Sequence, residues 1–293
     1  MSDSIQNENG VIIKKLTSEN MHEYEKLIPP DVVENSVDRE HHKGVALYRE
    51  EDGEPLCILM CATTGAGWDG NVKALVIEWI YVAEAEAFNI LLDKVREEAA
   101  KEDVVRLRVE IPKDDTVKKQ MLLDNGFEMH SRESLILETS VNEIAKIKQF
   151  QGNIKGDVVP IDELFTREFR RALTNFIFHG ARGLLEDAET LPMTWFDPEL
   201  SCCFRTGEKI TGMFLVKRTV SGILIPVLMF AFEPDAGVKL MMLLRYFVQT
   251  AEDIMPGDTR VLLCRFNENV RALTDKLLPG KKGADVLYFE RDV

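Results

Sequence analysis

Apolar and polar positions alternate from Val11 to Leu16, which predicts a strand, and then switch to helical spacing that opens at Ser18 and is closed by Pro29-Pro30. Two apolar runs follow, Gly44 to Tyr48 and Pro55 to Ala62, joined through Glu51-Asp52-Gly53-Glu54. Asp-Gly between strands predicts a hairpin. The next run, Val72 to Val82, is apolar at both parities, as expected of a central strand covered on both faces. Phe88, Leu91, Leu92, Val95 and Ala99 then make one helical stripe, leading into a strand from Val104 to Ile111. Asp114-Asp115 opens a further helix, Asn125-Gly126 ends it, and strands between Phe127 and Thr139 are expected to finish the unit.

The second half repeats this order. The turn Arg205-Thr206-Gly207-Glu208 stands about 150 positions after its counterpart at Gly53, and Ile223 to Phe232 stands where Leu75 to Val82 stood. A helix with Leu240, Leu243, Leu244, Phe247, Val248 and Ala251 on one face follows, then a strand from Arg260 to Phe266 and a helix opening at Asn267-Glu268-Asn269. An offset kept over four elements predicts two copies of one domain, residues 1–142 and 157–293, with 143–156 as a partly helical linker. The fold class expected is α/β, each copy a mixed central sheet flanked by helices.

Charge changes the list of partners. With 36 Lys and Arg against 50 Asp and Glu the chain carries −14, which argues against nucleic acid and favours a cationic small molecule. The longest apolar run is too short for the roughly 20 residues of a membrane span. A polar start, MSDSIQNENG, predicts a cytoplasmic chain, and five cysteines without a CxxC predict buried free thiols. The histidines are too scattered to suggest a metal site.

At Ile80-Tyr81-Val82, Leu91-Leu92 and Gly126-Phe127 the first half resembles the GNAT-type N-acetyltransferases, and the element order of both halves is similar to theirs. The resemblance implies two tandem, degenerate GNAT-like domains. It implies transfer of an acetyl or related acyl group from acyl-CoA to an amine, with the backbone of Ile80, Tyr81 and Val82 beside the thioester arm and the helix start at Ala87 and Phe88 beside the cofactor. It also places the family's base on the fourth strand, where this chain has Glu78. A carboxylate desolvated between apolar neighbours suits a base near neutrality, while a salt bridge to Arg106 or Arg108 is the structural alternative. The second copy has no acid on that strand, so the first half is the expected catalytic one.

Two departures leave an alternative open, a catalytically silent tandem that binds a ligand or partner. Family members hold the coenzyme A diphosphate on a Gly-rich loop at a helix N-terminus. Here the segment Ala83-Glu84-Ala85-Glu86-Ala87-Phe88 has no Gly and two acids, and the second copy, Glu233 to Val238, again has two. Acids in a first turn otherwise stabilise the helix itself. The family's usual acid, a Tyr, is replaced by Leu122.

Other motifs read as structural. Gly65-Ala66-Gly67-Trp68-Asp69-Gly70 spells a dinucleotide fingerprint but precedes a strand, not a helix. His41-His42 beside Glu40 reads as a solvated loop, His179-Gly180 as a helix cap, and Trp195-Phe196 as core.

Overall fold

Alternating runs build the first sheet. The computed structural model describes residues 4–7, 11–17, 19–36, 42–49, 53–64, 72–181, 191–265 and 268–293. Strands β1 (Ser4–Asn7), β2 (Val11–Leu16), β3 (His42–Arg49), β4 (Cys57–Thr64) and β5 (Ala74–Val82) lie antiparallel in chain order. Helix α1 (Pro30–Ser36) separates β2 from β3, and α2 (Ala85–Ala100) carries the chain from β5 to β6 (Arg106–Pro112), which runs parallel to β5. Helix α3 (Thr116–Asp124) then leads to β7 (Glu128–Glu133). Gly126, at φ +73°, ends α3 in the left-handed conformation expected of that position.

Strand β5 is covered on both faces, as its doubly apolar pattern requires. On one face Leu75, Ile77 and Ile80 join Phe88, Leu91, Leu92 and Val95 of α2 in a single core. Phe88, Leu91 and Leu92 are fully buried, each contributing about 1.5–3 kcal/mol relative to exposure. On the other face Ala46, Tyr48, Ile58 and Met60 pack against Met21, Tyr24 and Ile28.

The helix expected from Ser18 to the prolines does not form as such. Asn20 Oδ1 accepts the Thr17 amide at 2.9 Å, and Met21–Tyr24 is a 3₁₀ turn. Pro30 then opens α1, because a residue without an N–H loses nothing at the first helical position. Ser18 itself and Glu51-Asp52 of the Glu51-Asp52-Gly53-Glu54 turn lie outside the described residues.

The second sheet has six strands. In chain order its unit holds β8 (Ile136–Ser140), α4 (Val141–Ala145), β9 (Asp157–Pro160), α5 (Thr166–Phe178), β10 (Cys202–Thr206), β11 (Lys209–Arg218), β12 (Leu224–Ala231), α6 (Ala236–Ile254), β13 (Arg260–Cys264) and α7 (Glu268–Leu277). The spatial order is β8-β13-β12-β11-β10-β9, with β12 and β13 parallel. Leu243, Phe247 and Val248 of α6 cover one face against Phe214 and Val216. Phe169, Leu173 and Phe176 of α5 cover the other against Met213, Leu215 and Leu228.

The domain boundary differs from the one expected. The last strand, β14 (Asp285–Asp292), inserts between β6 and β7 of the first sheet, while β8 pairs with β13 of the second. The compact units are therefore residues 1–134 with 284–293, and 135–283. Residues 143–156 are not a linker. Ile144, Ala145 and Phe150 are buried in the core of the second unit, which is why that stretch folds.

Candidate functional site

The first unit has a break in its ladder at Glu78. Met60 of β4 faces Trp79, but Cys61 faces Ile77, so Glu78 is the additional residue of a β-bulge. The parallel ladder between β5 and β6 stops at the same place, after Ile77 and Val109. Among the described residues β5 beyond it pairs only with β4 and β6 only with β14, so from Glu78 to Val82 the edge of β5 toward β6 carries no strand ladder there. Ile80 is buried there, and Tyr81 and Val82 are half-buried. Trp79 pins the bulge by donating its indole N–H to the Leu27 carbonyl at 3.0 Å.

Glu78 is not enclosed by its apolar neighbours. Its side chain keeps 35% of its exposure, and its partner is neither Arg106 nor Arg108 but His42, whose Nε2 lies 3.5 Å from the carboxylate. Arg106 and Arg108 reach Glu290 on β14 instead, at 2.9 and 3.9 Å. His42 is no solvated loop residue. It begins β3, its side chain is only 8% exposed, and its Nδ1 is buried with no hydrogen-bond partner among the described residues. A signal for this was available, because His42, Gly44, Ala46 and Tyr48 form one parity of a strand whose face includes the buried Ala46 and Tyr48. His41 lies outside the described residues.

The pair has a definite chemistry. A proton on Nε2 gives the Glu78 carboxylate a donor from a side chain fixed by burial, while the exposed side of the carboxylate stays open to a second proton donor from solvent.

The start of α2 does not fit a diphosphate. The Ala83 and Glu84 amides both point at the Leu56 carbonyl, at 2.8 and 3.3 Å, and the Ala87 amide bonds the Glu84 carbonyl at 3.1 Å. The Glu84 carboxylate is held by Arg49, and Glu86 adds a second negative charge. Ala87 and Phe88 turn their side chains into the core at 3% and 0% exposure, so their expected contact with a cofactor is not available to side chains. Leu122 is likewise wholly buried, in the place where the resemblance expects an acid.

The second unit carries the same bulge with different chemistry. Leu215 faces Leu228 and Val216 faces Pro226, leaving Val227 as the additional residue, buried in the core. Its parallel ladder keeps a single pair, Leu224 with Val261. Among the described residues no group of three or more His, Cys, Asp or Glu is placed to hold a metal, and no helix is long and apolar enough to cross a membrane. The Gly65 to Gly70 motif lies outside the described residues. His179 caps α5 through Nδ1 and the Asn175 carbonyl at 2.8 Å, and Phe196 is core at 1% exposure.

A mixed sheet in which two central parallel strands part beside a bulge, present twice, is the GNAT fold in tandem. Over 96% of its length the chain resembles a tandem GNAT protein from the clavulanic acid biosynthesis pathway, covering 98% of that protein at 11% identity and a TM-score of 0.58. It also resembles a GCN5-related N-acetyltransferase from Anabaena variabilis, over 95% of this chain and 72% of that one, at 14% identity and a TM-score of 0.52. No family model matches the sequence, and the search of curated proteins finds no match. The likeness is one of fold.

Proposed function

We propose that the first unit is an N-acyltransferase that moves an acyl group from a thioester donor to a small cationic amine. The observation that carries this reading is the coincidence at Glu78 of a bulge, the parting of β5 from β6, and a buried histidine partner. Glu78 is the base that accepts the ammonium proton, leaving the amine lone pair free to attack the thioester carbonyl; the C–S bond then breaks and the departing thiolate takes up the second amine proton. His42 is a positioning residue that fixes the carboxylate. The unladdered edge of β5 at Ile80, Tyr81 and Val82 supplies backbone groups to an extended donor arm. The −14 charge of the chain attracts a cationic acceptor.

A second reading rests on the carboxylates of Glu84 and Glu86 at the start of α2, with the engaged amides of Ala83, Glu84 and Ala87, which oppose a coenzyme A diphosphate where its usual cradle would lie. In that reading the cleft binds a ligand and performs no transfer.

Calorimetry with coenzyme A, acetyl-CoA and a longer acyl-CoA, followed by turnover with a panel of primary amines including spermidine, separates the two. Transfer that falls by roughly 10²–10⁴ in Glu78→Gln supports the enzyme. Equal turnover by Glu78→Gln removes Glu78 from the mechanism. No heat and no turnover with any donor leaves the ligand-binding reading.

A further inference from the structure

On the opposite face of the same sheet from His42, under the C-terminal half of α2, lies a cavity of about 390 Å³. Cys61, which faces Ile77 across the bulge, is part of its wall, while Glu78 and His42 are not. Its walls include Ile13, Cys61, Leu75, Val95 and Ala99, each below a tenth exposed, so the residues are buried while the space between them is not filled by protein. The pocket opens to solvent on the side of Lys15, Lys94 and Glu98, so an apolar guest can enter and cover its buried walls. The volume falls within the range of small-molecule sites, roughly 300–1,000 Å³.

The charges around it are unequal. Lys15 and Lys43 both take the inward parity of their strands, beside Ile13 and Val45, where the alternation assigns apolar residues. Lys43 is neutralised by Glu102, and Lys94 by Glu97 and Glu98 at 3.3 and 3.2 Å. Lys15 has no carboxylate partner among the described residues and keeps its ammonium accessible. In a strongly acidic chain this leaves Lys15, among the described residues, as a cation without a carboxylate partner at the rim of a largely apolar pocket.

We propose that the cavity binds a small amphipathic monocarboxylate, its hydrocarbon part between the sheet and α2 and its carboxylate on Lys15. The site is independent of acyl transfer at Glu78. Its test is calorimetry of the full chain with decanoate, decan-1-ol and decylamine, below their aggregation concentrations. Decanoate is expected to bind at least ten-fold more tightly than decylamine, with the alcohol between. Lys15→Glu, at an exposed position that leaves the core intact, is expected to reverse the order of acid and amine. Ala99→Phe fills the chamber and is expected to abolish binding of all three. Absence of decanoate binding, equal binding of the three probes, or a decanoate affinity unmoved by Lys15→Glu overturns the proposal. Should Ala99→Phe not fold, the charge reversal alone decides.

Discussion

Several protons are held more tightly in the folded chain than in the unfolded one. The Tyr48 hydroxyl donates to that of Tyr24 in the buried layer between β3 and the Met21–Tyr24 turn. Burial pushes both phenols above their ordinary range, Tyr48 furthest, and lifts Tyr288 to about 12. Burial also raises the thiols of Cys57, Cys203 and Cys264 to about 12, and those of Cys61 and Cys202 upward as well. The sign is the same for all. Where a folded pKa exceeds the unfolded one, the unfolded chain loses its proton first, so stability is whole below the unfolded value and falls as pH rises toward the folded one. Unfolded thiols titrate near 8.5 and phenols near 10. The urea midpoint is therefore expected to stay level from pH 7 to 8 and to fall continuously from about pH 9 to 11, and Tyr48→Phe is expected to flatten the upper part of that fall. A midpoint constant to pH 11 would show that these groups titrate alike in both states.

Among the elements, α3 shows what local sequence encodes well. Asp115 accepts the Lys118 amide at 3.0 Å and the Lys118 ammonium at 2.8 Å, so Asp115→Ala is expected to cost about 1 kcal/mol, read as a lower midpoint in urea with unchanged slope. That cap, the stripe of α2 and the doubly buried β5 were all legible, because each is set by residues a few positions apart. The bulge was not. Glu78 and Val227 are singled out by a slip against β4 and β11, and a slip is a property of the ladder, which no periodicity along one strand records. For the same reason Glu78 could be chosen as a candidate from its place on the strand, while its true partner could not. His42 sits in a polar run, Glu40-His41-His42-Lys43, whose composition hides that one side chain is buried against another strand's carboxylate. The engaged amides at Ala83 and Glu84 were legible only as a missing glycine, since their acceptor, the Leu56 carbonyl, comes from the loop before β4.

The whole molecule is set by where its last strands go. The repeat in the sequence is real, with β2 to β6 answered by β9 to β13, but β8 and β14 complete each other's sheets. Alternation along one strand does not name the strand beside it, so the sheet that β8 or β14 joins is not written in its own pattern. The consequence is that a cut at the apparent domain boundary separates neither unit cleanly. β14 lies between β6 and β7 through continuous antiparallel registers on both sides, and it delivers Leu287 and Phe289, at 5% and 0% exposure, to the core that contains α2. Removing residues 284–293 deletes two core side chains worth about 1.5–3 kcal/mol each and leaves the facing edges of β6 and β7 unpaired, a loss of the same order as the roughly 5–15 kcal/mol that holds a domain folded. The chain ending at Gly283 is thus expected to lose the cooperative unfolding of its first unit, seen as proteolysis within residues 1–134 while the second unit stays resistant. The piece 157–293 is expected to fare worse than the piece 135–283, because it lacks β8 and the buried Ile144, Ala145 and Phe150, and retains β14 without its sheet. Measuring urea transitions of the two pieces side by side checks the boundary, and equal midpoints would show that residues 135–156 add nothing to the second unit.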